Sequence, residues 1–332
     1  MNLFKLISDL ERVDADVYQR FDSRRRAFKH LSGLGKVLST AALPGLVASL
    51  FNKAYGQGNS TVLPAGVADV LNLALQLEYL EYHFYNTALN TTGLVSAADR
   101  PAVLAIRNDE SGHVKVLRGA LGAQAFRATD PTAAAFDFTA GGTYTRVFSD
   151  AATFYGVAQS LEDTGVRAYK GSAPRLMANK ALLEAALNIH SVEARHASHL
   201  RTIRRGKAAG VEGPAAAQQP GDPADPSRKP KSWITNLDRG TAAPAATYVA
   251  AVYGPGNPAS GTSSQIFYPA ENNLAQGGVA FNPTTLAPTG FTPADMTAAI
   301  SEAFDEGLDP NSVLAIVRPF RSASGVALGL FQ

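Results

Sequence analysis

The sequence predicts an all-α core: a four-helix bundle with a long crossover between its second and third helices, then an irregular C-terminal extension ending in short helices. Three observations predict it. From Ala65 to Lys207 the chain is rich in Ala and Leu, with apolar side chains returning every three or four residues. Breaks rich in Gly, Pro, Ser and Thr divide that stretch into four segments. Two of the breaks are short and flank one long one, the spacing of two helix pairs joined by a crossover.

The first 56 residues read as an export signal. They carry nine Lys/Arg against five Asp/Glu, which leaves 21 basic and 23 acidic groups in the rest of the chain. Ser23-Arg24-Arg25-Arg26-Ala27-Phe28-Lys29 precedes a mostly apolar run from Leu31 to Phe51, and Ala54-Tyr55-Gly56 offers small residues for cleavage. The Arg-Arg-x-Phe-Lys core is similar to the twin-arginine signal, which predicts a periplasmic or otherwise exported protein. Lys36 and the acidic residues ahead of the arginines leave a cytoplasmic protein with an amphipathic N-terminal helix as the alternative.

The bundle is expected over residues 60–208. Its first helix runs from Gly66 to Asn90 and stops at Thr91-Thr92-Gly93. The second starts at Asp99 as N-cap, with Pro101 in its first turn, and ends near Gly122. Residues 123–149, with Asp130-Pro131 and Gly141-Gly142, form the crossover. Ser149 is the expected cap of a third helix ending at Lys170-Gly171, and Pro174 is placed in the opening turn of a fourth that lasts to Lys207. Residues 209–231 are a Pro/Ala-rich linker. Residues 232–332 form the extension, whose aromatic residues Trp233, Tyr248, Tyr253, Phe267 and Tyr268 predict packing on the bundle. Its closing helices are expected at Pro293–Glu306, capped by Thr292, and Asn311–Val317.

Composition excludes several functions. There is no cysteine, hence no disulfide, thiolate metal site or cysteine nucleophile, and any metal falls to His, Asp and Glu. The charge balance beyond residue 56, near −2, makes no case for a nucleic-acid partner. No apolar run approaches the ~20 residues of a membrane-spanning helix, so an integral membrane protein is not expected.

Each apolar stripe nevertheless carries a glutamate. The stripes are Leu71, Leu75, Glu78, Tyr82, Tyr85 and Leu89; Ile106, Glu110, His113, Leu117 and Leu121; Tyr155, Ala158, Glu162, Val166 and Tyr169; and Leu182, Ala186, Ile189, Glu193, His196, Leu200 and Ile203. A buried, unpaired carboxylate costs several kcal/mol, and a whole domain is stable by only ~5–15 kcal/mol. Two divalent cations would cancel four such charges, with the imidazoles completing the coordination. The order repeats: Glu78 then Glu110-x-x-His113, and Glu162 then Glu193-x-x-His196, at intervals of 32 and 31 residues. One half folded on the other about a pseudo-twofold axis brings all six groups together.

This signature resembles the ferritin-like di-iron and di-manganese carboxylate proteins. Leu77-Glu78-Tyr79-Leu80-Glu81-Tyr82-His83-Phe84-Tyr85 is similar to the first helix of bacterial ferritin-like-domain proteins related to plant desiccation-related proteins. A weaker likeness extends to Tyr268-Pro-Ala-Glu271 and to Glu302-Ala-Phe-Asp-Glu306. The resemblance implies that Glu78 and Glu162 are terminal ligands, that Glu110 and Glu193 bridge, and that His113 and His196 each bind one metal. It implies iron in preference to manganese, and aromatic side chains near the metals at Tyr85 and Tyr169. Asp109 precedes Glu110 as the aspartate that orients the opposite helix's histidine in an Asp-Glu-x-x-His pattern, whereas Val192 stands at its counterpart. Glu81 is expected as a solvated or supporting carboxylate rather than a ligand. The implied activity is ferroxidase-, peroxidase- or catalase-like, with metal ions and a small oxidant as partners; the alternative is a non-catalytic, desiccation- or stress-protective metal-binding protein. Homo-oligomer formation is left open.

Overall fold

The computed structural model describes residues 62–205, 231–234, 251–256, 268–290 and 292–332. The export reading of residues 1–56, most of the 209–231 linker, the last turn expected at Lys207, and Tyr248 and Phe267 lie outside the described residues.

Four long helices form the bundle: α1 (Ala65–Asn90), α2 (Arg100–Leu121), α3 (Ala151–Leu176) and α4 (Lys180–Arg205). Helix α1 packs on α2, α3 packs on α4, and α1 meets α3 in the middle. The last pair is antiparallel, because Tyr85 of α1 reaches back to Glu162 of α3 while Tyr169 reaches back to Glu78.

The helix ends differ in detail from the expectation. Asp99 holds the N-cap position of α2 without a side-chain cap; its carboxylate accepts from Ser96 Oγ at 2.6 Å instead. Asp150, not Ser149, caps α3, accepting from Thr153 N at 2.8 Å. Helix α3 continues through Pro174 to Leu176, and α4 begins only at Lys180. Pro174 forfeits its own backbone hydrogen bond and its ring crowds the carbonyl of Lys170, a local penalty that the helix tolerates here. Tyr268 Oη donates to Gly171 O at 3.3 Å beside that break.

The C-terminal extension packs on the bundle. It contains β1 (Ala275–Gln276) and β2 (Val279–Ala280), then α5 (Pro283–Leu286), α6 (Pro293–Ser301), α7 (Pro310–Val317) and α8 (Ala323–Ala327). β1 and β2 are antiparallel, Ala275 opposite Ala280, joined by Gly277 and Gly278, both at positive φ, as a two-residue hairpin turn requires. Helix α6 has the expected Thr292 cap, in a capping box with Asp295, but stops at Ser301 rather than Glu306. Helix α7 starts one residue early, at Pro310, because Asp309 caps it.

Two buried arginines tie the extension down. Arg167 of α3 donates to the carbonyls of Glu306 (2.8 Å), Gly254 (2.9 Å), Pro269 (3.1 Å), Gly307 and Val252, and pairs with Glu271 at 2.7 Å. Arg201 of α4 pairs with Asp163 and donates to Trp233 O at 3.0 Å, while Tyr253 Oη donates to Asp163 at 2.7 Å. The crossover is pinned from the other side, Asp137 N donating to Phe320 O at 2.8 Å. Every residue of α3 from Phe154 to Tyr169 is buried as a result. The inner pair of helices is thus covered on all faces, not on one stripe.

Candidate metal centre

The six side chains of the two Glu and Glu-x-x-His sets converge at mid-bundle. Glu78, Glu110, Glu162 and Glu193 are fully buried (0 % exposed), and His113 and His196 nearly so. His113 Nδ1 lies 3.0 Å from Glu78 Oε2, 2.9 Å from Glu110 Oε2 and 3.2 Å from Glu193 Oε1. His196 Nδ1 lies 3.0 Å from Glu110 Oε1 and 3.2 Å from Glu162 Oε2. Two four-residue groups result, each with ligand atoms within 4.8 Å of one another: Glu78, Glu110, His113 and Glu193, and Glu110, Glu162, Glu193 and His196. They share Glu110 and Glu193.

Helical periodicity explains the placement. Each Glu and its His three residues on project from one face of α2 or α4. Tyr85 and Tyr169 stand two turns beyond Glu78 and Glu162, but each hydroxyl donates to the glutamate of the facing helix, Tyr85 to Glu162 Oε1 and Tyr169 to Glu78 Oε1. In both cases the other oxygen, Oε2, is the one beside a histidine.

The unpaired atoms are concentrated in the shared pair. Glu193 Oε2 is buried and accepts no hydrogen bond, while Glu110 Oε1 and Glu193 Oε1 meet only a histidine Nδ1, at 3.0 Å and 3.2 Å and out of good hydrogen-bond alignment. Burial pushes Glu110 up to about 7, with the Glu162 charge adding to it. Glu193 is driven well above the ordinary carboxylate range by burial, then by Glu110, Glu78 and Glu162. Glu78 goes the other way: burial raises it, but the charge and hydrogen bonds of His113 outweigh burial. Both imidazoles hold their protons far above the ordinary histidine range, since burial is overcome by Glu78 at His113 and by Glu162 at His196. Protein alone leaves these oxygens short of positive partners. A set of four carboxylates and two imidazoles around orphaned oxygens is the donor chemistry of a pair of hard or borderline divalent cations.

Other predicted residues fall as follows. Asp109 is exposed, and its Oδ2 lies 3.2 Å from His196 Nε2 across the bundle. Glu81 is buried rather than solvated and lies near the cluster; burial and the charges of Glu193, Glu162, Glu110 and Glu78 raise it well above the carboxylate range. Its counterpart three residues after Glu162 is Gly165, where a Cβ would lie 3.0 Å from Glu193 Oε2. His83 faces away from the cluster, 2.9 Å from Pro131 O, and His190 Nδ1 meets Val166 O at 3.0 Å. Glu271, without a nameable partner in the sequence, pairs with Arg167. Arg167, Arg201, Asp163 and Gly165 were not singled out from the sequence. A glycine inside a helix, as at Gly165, was the available signal of close approach.

A small apolar hollow, partly open to solvent, lies between α1, α3 and α4 and is lined by Val70, Leu73, Leu77, Tyr169 and Leu176 among others. It adjoins the cluster through Tyr169. Among the described residues, no helix is long and apolar enough to cross a membrane.

Comparison with known proteins gives one match. Residues 66–205 match the family model described as a ferritin-like domain. Neither the search of curated proteins nor that of solved structures returned a match. The matched span begins one residue into α1 and ends with the last described residue of α4. With its two helix pairs, its long crossover and its buried Glu/His cluster, the segment from 66 to 205 has the fold of a ferritin-like four-helix bundle.

Proposed function

We propose that this domain holds two divalent cations, iron in preference to manganese, and handles dioxygen, peroxide or ferrous iron with them. Glu78 and His113 would hold one ion and Glu162 and His196 the other, with Glu110 and Glu193, common to both groups, serving both. The observation that carries this reading is the pair of four-residue groups that share those two glutamates. When bound, such a pair supplies a small oxidant with two electrons, one from each ion. The protein's part is positional. Tyr85 and Tyr169 each occupy one oxygen of Glu162 and Glu78 and leave Oε2 toward the cluster. Asp109 holds the His196 ring from outside.

Metal analysis of the purified chain tests the reading. We expect about two ions per chain, as the six-ligand signature implies, and almost none in the Glu110→Ala plus Glu193→Ala variant. A parent near zero after loading would remove the basis for the proposal.

A second reading is a non-catalytic centre in a desiccation- or stress-protective protein. The tyrosine clamps on both terminal glutamates favour it, because they restrain the carboxylates whose movement would accompany redox cycling. Anaerobic loading followed by oxygen or peroxide separates the two. Turnover supports the first reading, and a loaded, unreactive centre supports the second.

A further inference from the structure

The two halves of the cluster carry the same ligand inventory: two shared glutamates, one terminal glutamate, one histidine and one tyrosine clamp. They differ outside it. His196 turns Nδ1 to the cluster and Nε2 to Asp109 Oδ2, 3.2 Å away. His113 also turns Nδ1 inward, but the position equivalent to Asp109 on α4 is Val192, which offers no acceptor. Among the described residues, no side chain is recorded accepting from His113 Nε2.

That difference has a direct chemical consequence. A neutral imidazole that ligates through Nδ1 carries its proton on Nε2, and a carboxylate accepting that proton fixes the tautomer and ring angle and makes the ligating nitrogen more basic. His196 is held in its ligating orientation before any metal arrives, with Asp109 in place to keep the Nε2 proton when Nδ1 gives up its own. His113 is oriented only by the cluster carboxylates on its Nδ1, the side the metal must take. The exposed Asp109 carboxylate also adds negative charge beside His196.

From this asymmetry we infer that the two metal positions load in order: the His196 position binds first and tightly, and the His113 position binds second and exchanges readily. Asp109 is the positioning residue that sets the order, and Val192 is the reason the other position lacks one. The inference rests on the two-metal reading above.

The test is a calorimetric titration of the metal-free full chain with Mn(II), alongside Asp109→Asn and Val192→Asp. The parent should show two steps. Asp109→Asn should weaken the tighter step by about 10–100-fold, the usual effect of losing such a partner, and leave the weaker one in place. Val192→Asp should tighten the weaker step by a similar factor, so both variants narrow the gap. Two ions close together repel, and repulsion alone would also split the steps; a gap unchanged in both variants would therefore overturn the inference. So would an Asp109→Asn variant that weakens both steps equally. Thermal midpoints of the metal-free variants, expected to match the parent because Asp109 is exposed and Val192 only half-buried, separate positioning from misfolding. A parent that binds no Mn(II) would instead refute the two-metal reading itself.

Discussion

Arg167 carries no metal chemistry, yet its guanidinium holds more of the molecule together than any other single side chain described. It is fully buried, and its partners come from three separate stretches of the extension. A methionine there would leave Glu271 without its cation and five carbonyls without a donor. Breaking a buried ion pair by removing one partner costs ~3–5 kcal/mol. Arg167→Met should therefore lower the unfolding free energy by that amount, read from denaturant titration, at unchanged metal stoichiometry, since Arg167 does not touch the six ligands. At the same scale, the sequence displayed Glu78, Glu110, His113, Glu162, Glu193 and His196 because a charge on an apolar stripe is conspicuous. Arg167 and Asp163 were not conspicuous. They lie off the stripe, on a face that reads as solvent until the extension is placed over it.

Among the elements, α3 shows how tertiary cover changes what a helix tolerates. Its C-terminal turns keep going through Pro174, and Gly171 lets the extension's backbone cross it at close range. A Cβ at Gly171 would lie 1.8 Å from Leu308 O, and Leu308 N already donates to Arg167 O at 2.9 Å. Neither backbone can yield without breaking that hydrogen bond. Gly171→Ala should thus destabilise the chain toward the upper end of the ~1–3 kcal/mol typical of overpacking, and expose the extension to protease, read by limited proteolysis. Gly112 is the contrast: a Cβ there meets nothing within 4 Å, so Gly112→Ala should fold as the parent does. The helix periods and the crossover length were legible in the sequence, whereas the end of α3 was misplaced by Pro174. Proline is a reliable stop only where the local penalty decides, and here the packing of the extension outweighs it.

For the molecule as a whole, the acidic centre makes stability depend on pH in a direction set by the metal. In the metal-free state Glu110 is raised from an ordinary 4.5 to about 7 and Glu193 further. A group whose folded value is raised binds more protons folded than unfolded. Its stabilising contribution is complete below the unfolded value and is lost as pH rises through the folded one. The metal-free chain should lose stability from about pH 4.5 through 7, and His113 and His196, also raised, extend that trend upward. Glu78, lowered, titrates below this window and opposes it only at more acid pH. Metal ions compete with the same protons, so affinity rises with pH and loading releases protons. Thermal midpoints with chelator and with Mn(II), taken from pH 5 to 8, should diverge steadily. Curves that stay parallel would show that protons and metal do not share these carboxylates.

By itself the sequence determined the helices, the long crossover and the six-residue pattern, because each is written in local periodicity: a turn of helix fixes which residues three and four apart share a face. It also carried the asymmetry between Asp109 and Val192. Only the tertiary structure decided that Glu81 is buried, that each tyrosine clamps the facing helix's glutamate, and that Arg167 binds the extension. Those contacts join residues far apart in the chain, from 77 for Tyr85 with Glu162 to 140 for Arg167 with Gly307. Their partners are set by how the helix pairs and the extension close on one another, which no local pattern encodes.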